Sequence, residues 1–349
     1  MQVCKVFSAE NIPEYNQLLD NMKLDLDIYY QTGFLETDAF LHKGEFEIFV
    51  CQEDNYIFIY PYIKKPLSDG YYDITSPYGY CGPFSNDPLF FEVGERMFIE
   101  FKCREGLLVS EFIRYHPIYN YKEQTRFKYF VSNYLNRTVV ILKENIDWSK
   151  IWNEQFSGTN RNLVRKMKSE GYVFEMVDHD TYFAEFKAMY YLSMVNVQAT
   201  EYYFFSEVYF EKLKSNLGEK MMLARVRLNN ISYATCLFFL SGDIITYFLS
   251  ARNLDWPQVP ATNFLLSNMA EWGHANGYKF FNLGGGLTNN KQDSLFKFKA
   301  NFSKDHTPFY IGKRIHNPEM YESIKKHWID NNGPEKYERV KQVLQFYHE

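Results

Sequence analysis

The sequence is poor in cysteine and has no excess of basic residues. Its five cysteines (Cys4, Cys51, Cys81, Cys103 and Cys236) are scattered, and no two have C-x-x-C spacing. This pattern argues against a zinc or redox centre, so we expect reduced core thiols and no bound metal. The 38 basic and 43 acidic residues give a formal net charge of −5. That charge argues against a sequence-independent nucleic-acid coat, although it leaves room for a local basic patch.

Long apolar runs are also lacking. No stretch reaches the length that a membrane-spanning helix needs, and residues 1–7 do not have the layout of a signal peptide. We therefore expect a cytoplasmic protein without an integral membrane segment. Aromatic residues, in contrast, are abundant at 19% of the chain. Because tyrosine and phenylalanine favour strands and bury large areas, they predict sheet-rich cores.

Two parts of the chain follow the same order of predicted elements, namely hairpin, strand, helix and strand. The first set comprises 45–50, 56–63, 71–76, 88–102 and 107–115. The second set comprises 221–228, 232–240, 244–251, 261–275 and 278–283. A length of 349 residues also suggests two domains. The pattern therefore predicts two α/β domains of similar build, with mixed sheets flanked by helices.

The strand at 278–283 runs directly into Gly284, Gly285 and Gly286. Without Cβ atoms this turn lets a ligand or another backbone approach the main chain closely, and strand ends are frequent ligand sites. The segment 293–302 follows, in which Lys297 and Lys299 alternate with phenylalanines. We expect at least one ammonium group near the glycine turn. A mobile surface loop with solvated lysines is the alternative.

A basic helix is predicted over 157–168. On such a helix Arg161, Arg165 and Lys168 share one face. The arginines could bind a diphosphate, because guanidinium groups match phosphate oxygens and helix starts favour anions. A solvated basic face is the alternative interpretation.

Four segments together resemble Fem-like and related GNAT-fold acyltransferases: 73–83, 111–117, 161–171 and 282–302, with 309–313 after them. They cover most of residues 70–315 in the family's order. The resemblance implies an α/β (α+β) protein with two GNAT-like domains facing across a cleft. The first domain would span 1–150 and be completed by 311–349, and the second would span 151–310. In the C-terminal part the sequence predicts helices over 321–328 and 334–347.

The resemblance implies an acyltransferase that forms an amide on an amino group of a cell-envelope precursor of peptidoglycan or surface-polysaccharide type. Its donor would be a co-substrate, aminoacyl-tRNA or acyl-CoA, with no tightly bound cofactor. The acceptor would be a nucleotide-linked or lipid-linked amino sugar or peptide, and the partners would include charged tRNA. The reaction would take place in the cytoplasm or at the inner membrane surface.

Two departures from the family pattern bear on the substrates. Members of the peptidoglycan branch can carry a long helical-hairpin arm, and this sequence shows no such arm. The segment 254–263 lacks the glycines with which ordinary GNAT enzymes cradle coenzyme A. Two alternatives remain: a GNAT N-acyltransferase that uses acyl-CoA or acyl-carrier protein on a nucleotide amino sugar or small amine, and a non-catalytic ligand-binding module.

The family motif lysine corresponds to Lys299, which is implied to stabilise the oxyanion of acyl transfer. His116 and Asp73 are candidate proton acceptors. The candidate substrate-binding residues lie in loops and at predicted strand and helix ends: Tyr78, Tyr80, Arg114, Arg161, Arg165, Gly284, Gly285, Gly286 and Phe298. Structural roles are the alternatives for each, in particular a packed turn for the tyrosines and a hydrogen-bonded core histidine for His116.

Overall fold

The structure is a computed structural model that describes residues 2–119, 130–143 and 145–348. The chain divides into two compact units. Unit 1 comprises Met1–Leu24, Tyr29–Tyr134 and Pro308–Glu349, and unit 2 comprises Asp25–Ile28 and Leu135–Thr307. Unit 2 is therefore nearly continuous in sequence, whereas unit 1 needs residues from both ends of the chain.

Unit 1 is built on a mixed sheet. Its strands are β1 (Val3–Phe7), β2 (Glu45–Glu53), β3 (Tyr56–Pro66), β4 (Tyr72–Thr75), β5 (Phe84–Ser85), β6 (Leu108–Arg114) and β13 (His306–Ile315), whose first two residues belong to unit 2. The order is β1-β2-β3-β4-β6-β13, with β5 paired to β3. The pairs are antiparallel except β4 and β6, which are parallel. Parallel neighbours need a crossover, and a helix between them supplies it.

Unit 2 repeats this plan. Its strands are β7 (Phe130–Ile141), which belongs to this unit from Leu135 onward, β8 (Val173–Val177), β9 (Met221–Leu228), β10 (Ile231–Ser241), β11 (Ile244–Arg252) and β12 (Phe280–Gly284). Their order is β7-β12-β11-β10-β9-β8. Only β11 and β12 are parallel among these pairs. The predicted mixed α/β fold class, with the same order of elements occurring twice, is confirmed.

Helices flank these sheets. They are α1 (Ile12–Asn21), α2 (Thr32–Leu41), α3 (Pro88–Glu105), α4 (Trp148–Glu154), α5 (Gly158–Ser169), α6 (His179–Asn196), α7 (Glu207–Leu217), α8 (Ala261–Ala275), α9 (Ser294–Ala300), α10 (Pro318–Asn332) and α11 (Pro334–Val340). Helix α3 connects β4 to β6, and α8 connects β11 to β12. None of the helices in the described part of the chain is long and apolar enough to span a membrane.

The cores are aromatic, as the composition predicts. The largest fully buried side chains of the described residues are all tyrosines and phenylalanines, among them Tyr60 and Phe91 in unit 1 and Tyr190 and Tyr209 in unit 2. In unit 2, α8 packs its buried residues against the same side of the sheet as Phe281 and Leu283 of β12. This packing fixes the end of β12 at the glycine turn.

One predicted helix is too long. The sequence predicts a helix over 334–347, but α11 ends at Val340. Beyond it Gln345 donates a hydrogen bond to the carbonyl of Ile74 at 3.0 Å, and His348 pairs with Asp73 at 2.8 Å. These contacts within unit 1 hold the chain in a conformation that a continuous helix could not adopt.

Candidate functional site

The glycine turn begins with a bulge at the end of β12. Pairing with β7 shifts register between Asn282 and Gly284, which lie opposite Val139 and Thr138. Gly284 has φ +75°, and its N–H donates to Asn282 Oδ1 at 2.9 Å. A positive φ of this size favours glycine over other residues. The left-handed backbone conformation at position 284 therefore requires the first of the three glycines.

The last of the three glycines makes room for the cap of α9. Asp293 Oδ1 accepts a hydrogen bond from the N–H of Phe296 at 2.9 Å, and its Oδ2 accepts from the N–H groups of Leu287 and Thr288, each at 3.0 Å. Burial alone would raise the pKa of Asp293, but these hydrogen bonds lower it overall. A Cβ at Gly286 would lie 2.3 Å from Asp293 Oδ1. Gly286 thus allows one carboxylate to hold both the turn and the helix start.

Lys299 lies in the last turn of α9 and is buried. Its Nζ donates to the carbonyl oxygen of Gly285 at 2.8 Å and lies 5.6 Å from the ring centroid of Tyr247. Burial, with a smaller contribution from the charge of Arg137, lowers the pKa of Lys299 to about 7, against the opposing charge of Asp293. The expected ammonium group is thus held at the glycine turn. The exposed neighbour Lys297 instead bonds Gln292.

Two further residues at this turn escape the sequence analysis. Arg137 of β7 donates from Nη1 to the carbonyl of Leu135 at 2.7 Å and lies against Gly285. His306 lies 3.4 Å from Thr138 Oγ1, and burial lowers its pKa. Neither residue belongs to a local motif. Only the pairing of β7 with β12 brings Arg137 to the turn, and a single sequence gives no signal for that pairing.

Pairing between β11 and β12 ends at Thr246 and Asn282, although β11 continues to Arg252. The flanking residues Ile245 and Phe281 lie in the core under α8. Strand alternation therefore directs Thr246 and Asn282 to the opposite face of the sheet. Both are buried, and within the described residues Thr246 Oγ1 and Asn282 Nδ2 have no hydrogen-bond partner. The strand end thus holds two unsatisfied polar groups side by side.

The predicted basic helix is α5, but its two arginines have different surroundings. Arg161 donates from Nη1 to the carbonyl of Asn153 in the last turn of α4, at 2.9 Å, and to that of Phe156, just after α4, at 2.5 Å. Arg165 is exposed and bonds the side chain of Asn162 at 3.2 Å. Arg161 therefore caps backbone carbonyls locally, whereas Arg165 has no such role.

Phe298 is half-buried and packs on the core of unit 2. Its ring lies 5.5 Å from that of Phe302, with the two rings nearly perpendicular. This contact anchors α9 to the core. It accounts for the alternation of phenylalanine and lysine in the segment, since the helix turns Phe298 toward the core while Lys299 reaches the glycine turn.

The loop that carries Tyr78 and Tyr80 lies in unit 1. The backbone N–H of Tyr78 donates to Asp38 Oδ2 at 3.0 Å. Tyr80 is buried, and its ring meets those of Tyr29 at 5.6 Å and Phe309 at 5.3 Å edge to face. The loop is therefore a packed turn built from aromatic rings and one buried carboxylate.

Arg114 and His116 also lie in unit 1. Arg114 Nη1 is 3.4 Å from the carbonyl oxygen of Ser76. His116 is buried, and its Nδ1 accepts hydrogen bonds from the N–H groups of Ile118 and Tyr119 at 3.2 and 3.3 Å. These bonds fix the neutral tautomer with the proton on Nε2. Nδ1 is thus already engaged by the backbone.

Asp73 is fully buried in unit 1. Its Oδ1 accepts hydrogen bonds from the N–H and the hydroxyl of Ser110, at 2.9 and 2.7 Å, and its Oδ2 pairs with His348. Both carboxylate oxygens are thus engaged within unit 1. The contacts fasten the C-terminal segment to β4 and β6.

Several solved structures share this fold. FemX aligns with a TM-score of 0.66 and 13% identity over 88% of this chain and 98% of FemX. L-PGS from Bacillus licheniformis aligns with a TM-score of 0.55 and 14% identity, over 86% of this chain and 91% of that chain. A tandem GNAT protein from the clavulanic acid biosynthesis pathway aligns with a TM-score of 0.50 and 8% identity, over 91% of this chain and 99% of that chain. The resemblance to Fem-like and GNAT-fold proteins is therefore confirmed for the fold. No protein-family model and no curated protein matches the sequence.

Proposed function

We propose that the chain is an acyltransferase that forms an amide on an amino group of a cell-envelope precursor of peptidoglycan or surface-polysaccharide type. The observation that carries this proposal is the buried Lys299, held on the carbonyl of Gly285 with a pKa of about 7. Perturbed, buried ionisable groups at strand ends are characteristic of catalytic sites. The shared fold with FemX supports the chemistry by analogy only.

In this reaction an amine attacks the carbonyl carbon of a bound acyl ester, the carbon–nitrogen bond forms, and the alcohol leaves. Negative charge develops on the carbonyl oxygen at the tetrahedral stage. The Lys299 ammonium and the Arg137 guanidinium, both at Gly285, are the groups we propose to stabilise it. The burial of Lys299 strengthens the effect because little water competes for the oxyanion. Removing one such group typically costs about 10²–10³ in rate.

The attacking amine must also lose a proton. Burial lowers the pKa of His306, which favours its neutral form, and the ring lies beside Thr138, which pairs with Gly284. We propose His306 as the acceptor of this proton. His116 and Asp73 are engaged in hydrogen bonds within unit 1, and these bonds support structural roles for them.

We propose aminoacyl-tRNA as the first candidate for the acyl donor. The segment before α8 contains Pro257 and Pro260 and no glycine, which argues against the usual cradle for coenzyme A. Acyl-CoA remains the second candidate donor, because one structural neighbour is a tandem GNAT protein. The acceptor would be nucleotide-linked or lipid-linked, and in the second case the reaction would take place at the inner membrane surface.

A transfer assay tests the proposal. Purified protein is incubated with charged tRNA or acyl-CoA and with UDP-linked muramyl peptides, UDP-amino sugars or their lipid-linked forms, and products are detected by mass spectrometry. We expect a new amide with charged tRNA that RNase treatment abolishes. The Lys299→Met variant should lose activity, whereas Lys297→Met, on the exposed face of the same helix, should keep it. Unchanged turnover in Lys299→Met would overturn the proposed role of Lys299.

A further inference from the structure

Cys4 and Cys51 are free thiols that lie directly opposite each other in unit 1. They are partners in the antiparallel register of β1 and β2. The thiol of Cys4 donates a hydrogen bond to Cys51 Sγ at 3.1 Å. The two residues are 47 positions apart in the sequence, so only the pairing of the two strands brings their sulfur atoms together. The fold thus creates a pair of thiols that no sequence motif marks.

The backbone already has the spacing that a disulfide requires. Directly opposed residues of an antiparallel pair have Cα atoms about 4.5 or 5.5 Å apart, and both values lie within the range of about 4.4–6.8 Å that disulfides span. Both side chains also lie on one face of the sheet, where they contact the aromatic core cluster that includes Phe49 and Phe98. A bond between the two sulfur atoms can therefore form by rotation of the side chains, without a change in strand register.

The two sulfur atoms have different surroundings. Cys51 is fully buried, and its Sγ accepts a second hydrogen bond, from Gln2 Nε2 at 3.3 Å. Cys4 is only partly buried and belongs to β1, which lies at one end of the strand order. An oxidant in solution therefore reaches Cys4 first. Burial, followed by the hydrogen bond and the charge interaction with Cys51, raises the pKa of the Cys4 thiol. This first step is therefore slow at neutral pH, because the thiolate is the reactive form.

We propose that Cys4 and Cys51 form a reversible disulfide with a low-molecular-weight disulfide such as oxidised glutathione as the oxidant. The Cys4 thiolate attacks one sulfur of oxidised glutathione, a mixed disulfide forms, and one glutathione leaves as its thiolate. Cys51 then loses its proton and attacks Cys4 Sγ, and the second glutathione leaves. The two protons lost by the protein thiols are taken up by the two glutathione thiolates, so one oxidised glutathione becomes two reduced ones. The bond fastens β1 to β2, and it forms independently of the proposed acyltransferase activity.

The test incubates the full chain with oxidised glutathione at mildly alkaline pH, which raises the thiolate fraction. We expect a peptide map without reductant to link the peptides that contain Cys4 and Cys51, with two hydrogen atoms lost and no glutathione retained on this pair. The temperature of half unfolding should rise by a few degrees, because the cross-link closes a long loop and restricts the unfolded chain. Dithiothreitol should reverse both changes.

Cys103 serves as the internal reference, because it is exposed and its own mixed disulfide with glutathione shows that the reagent is active. Cys4→Ser keeps the size of the side chain and should fold, but it should give neither the linked peptides nor the rise in unfolding temperature. Cys103→Ser is the matched control and should keep both. Glutathione that stays on Cys4, or thiols of this pair that remain free while Cys103 reacts, would overturn the proposal. A rise in unfolding temperature that persists in Cys4→Ser would overturn it as well.

Discussion

Arg137 occupies the space in which a side chain at position 285 would have to lie. A Cβ built on Gly285 would be 2.1 Å from Arg137 Nη1 and 2.8 Å from its Cζ. The guanidinium is fixed in turn by its bond to the carbonyl of Leu135. Close approach of the two residues is thus possible only with glycine at 285. The same glycine presents its carbonyl oxygen to Lys299.

Gly285→Ala is expected to destabilise the protein by about 1–3 kcal/mol, because the methyl group displaces Arg137 from a packed position. Transfer activity should fall as well, since the two cations would move apart. Urea unfolding measures the first effect, and the transfer assay the second. Gly158→Ala is the control, because a Cβ there meets nothing within 4 Å. Equal stability of the two variants would contradict the packing described here.

Lys299→Met should make the protein more stable than the wild type below pH 7. The folded-state pKa of Lys299 is about 7, well below its ordinary value of 10.5. Below pH 7 both states of the wild type are protonated, so the full cost of burying the charge is present. Between pH 7 and 10.5 only the unfolded state keeps the proton, so wild-type stability rises with pH. We expect an advantage for Lys299→Met of roughly 2–5 kcal/mol at low pH, shrinking toward pH 10.

Urea unfolding at several pH values measures this difference, with Lys297→Met as the exposed control. A constant gap between wild type and Lys299→Met across this pH range would show that the pKa of Lys299 is not lowered. A gap that widens with pH would contradict the sign of the shift.

The rate of transfer should fall as pH rises through about 7, because the proposed oxyanion role needs a protonated Lys299. Lys299→Arg should remove this decline, since guanidinium stays charged throughout. Rates measured at saturating substrate in both proteins check the prediction. A wild-type rate that instead increases through pH 7 would assign Lys299 the role of proton acceptor.

Arg161→Ala and Arg165→Ala should differ in stability. Arg161 caps the carbonyls of Asn153 and Phe156, so its loss should cost about 1–2 kcal/mol. Arg165 is largely solvated, and its loss should stay within about 0.5 kcal/mol. If the pair also binds a diphosphate, as proposed from the sequence, the double variant raises KM for the phosphorylated substrate. An unchanged KM would contradict diphosphate binding by the two arginines.

Thr246→Val should leave stability unchanged or increase it by about 1 kcal/mol, because the buried hydroxyl that it removes has no partner within the described residues. Thr246→Ser keeps the hydroxyl and is the matched control. Thermal unfolding compares the two variants. A clear loss of stability in Thr246→Val alone would mean that a bound water or ligand satisfies the hydroxyl.

The regular elements could be predicted from the sequence because their signals are local. The hairpin of β2 and β3 shows a polar turn between apolar runs, and α8 ends at Ala275, two residues before Gly277. The closeness of the Lys299 ammonium group to the glycine turn could be predicted from its position in the sequence, and the structure shows this contact. The remainder of the site depends on contacts between distant segments. Arg137 reaches the turn only through strand pairing. The hydrogen bond between the Tyr78 N–H and Asp38 likewise joins two segments that are distant in the sequence.

The split composition of unit 1 has a consequence during translation. Unit 2 is encoded almost entirely by the continuous stretch Leu135–Thr307, so it can fold on the ribosome as soon as that stretch has emerged. Unit 1 must wait for Pro308 and the residues after it, including the His348 that pairs with Asp73. Unit 1 therefore begins before unit 2 in the chain and is completed after it, and until then its sheet lacks β13, the partner of β6.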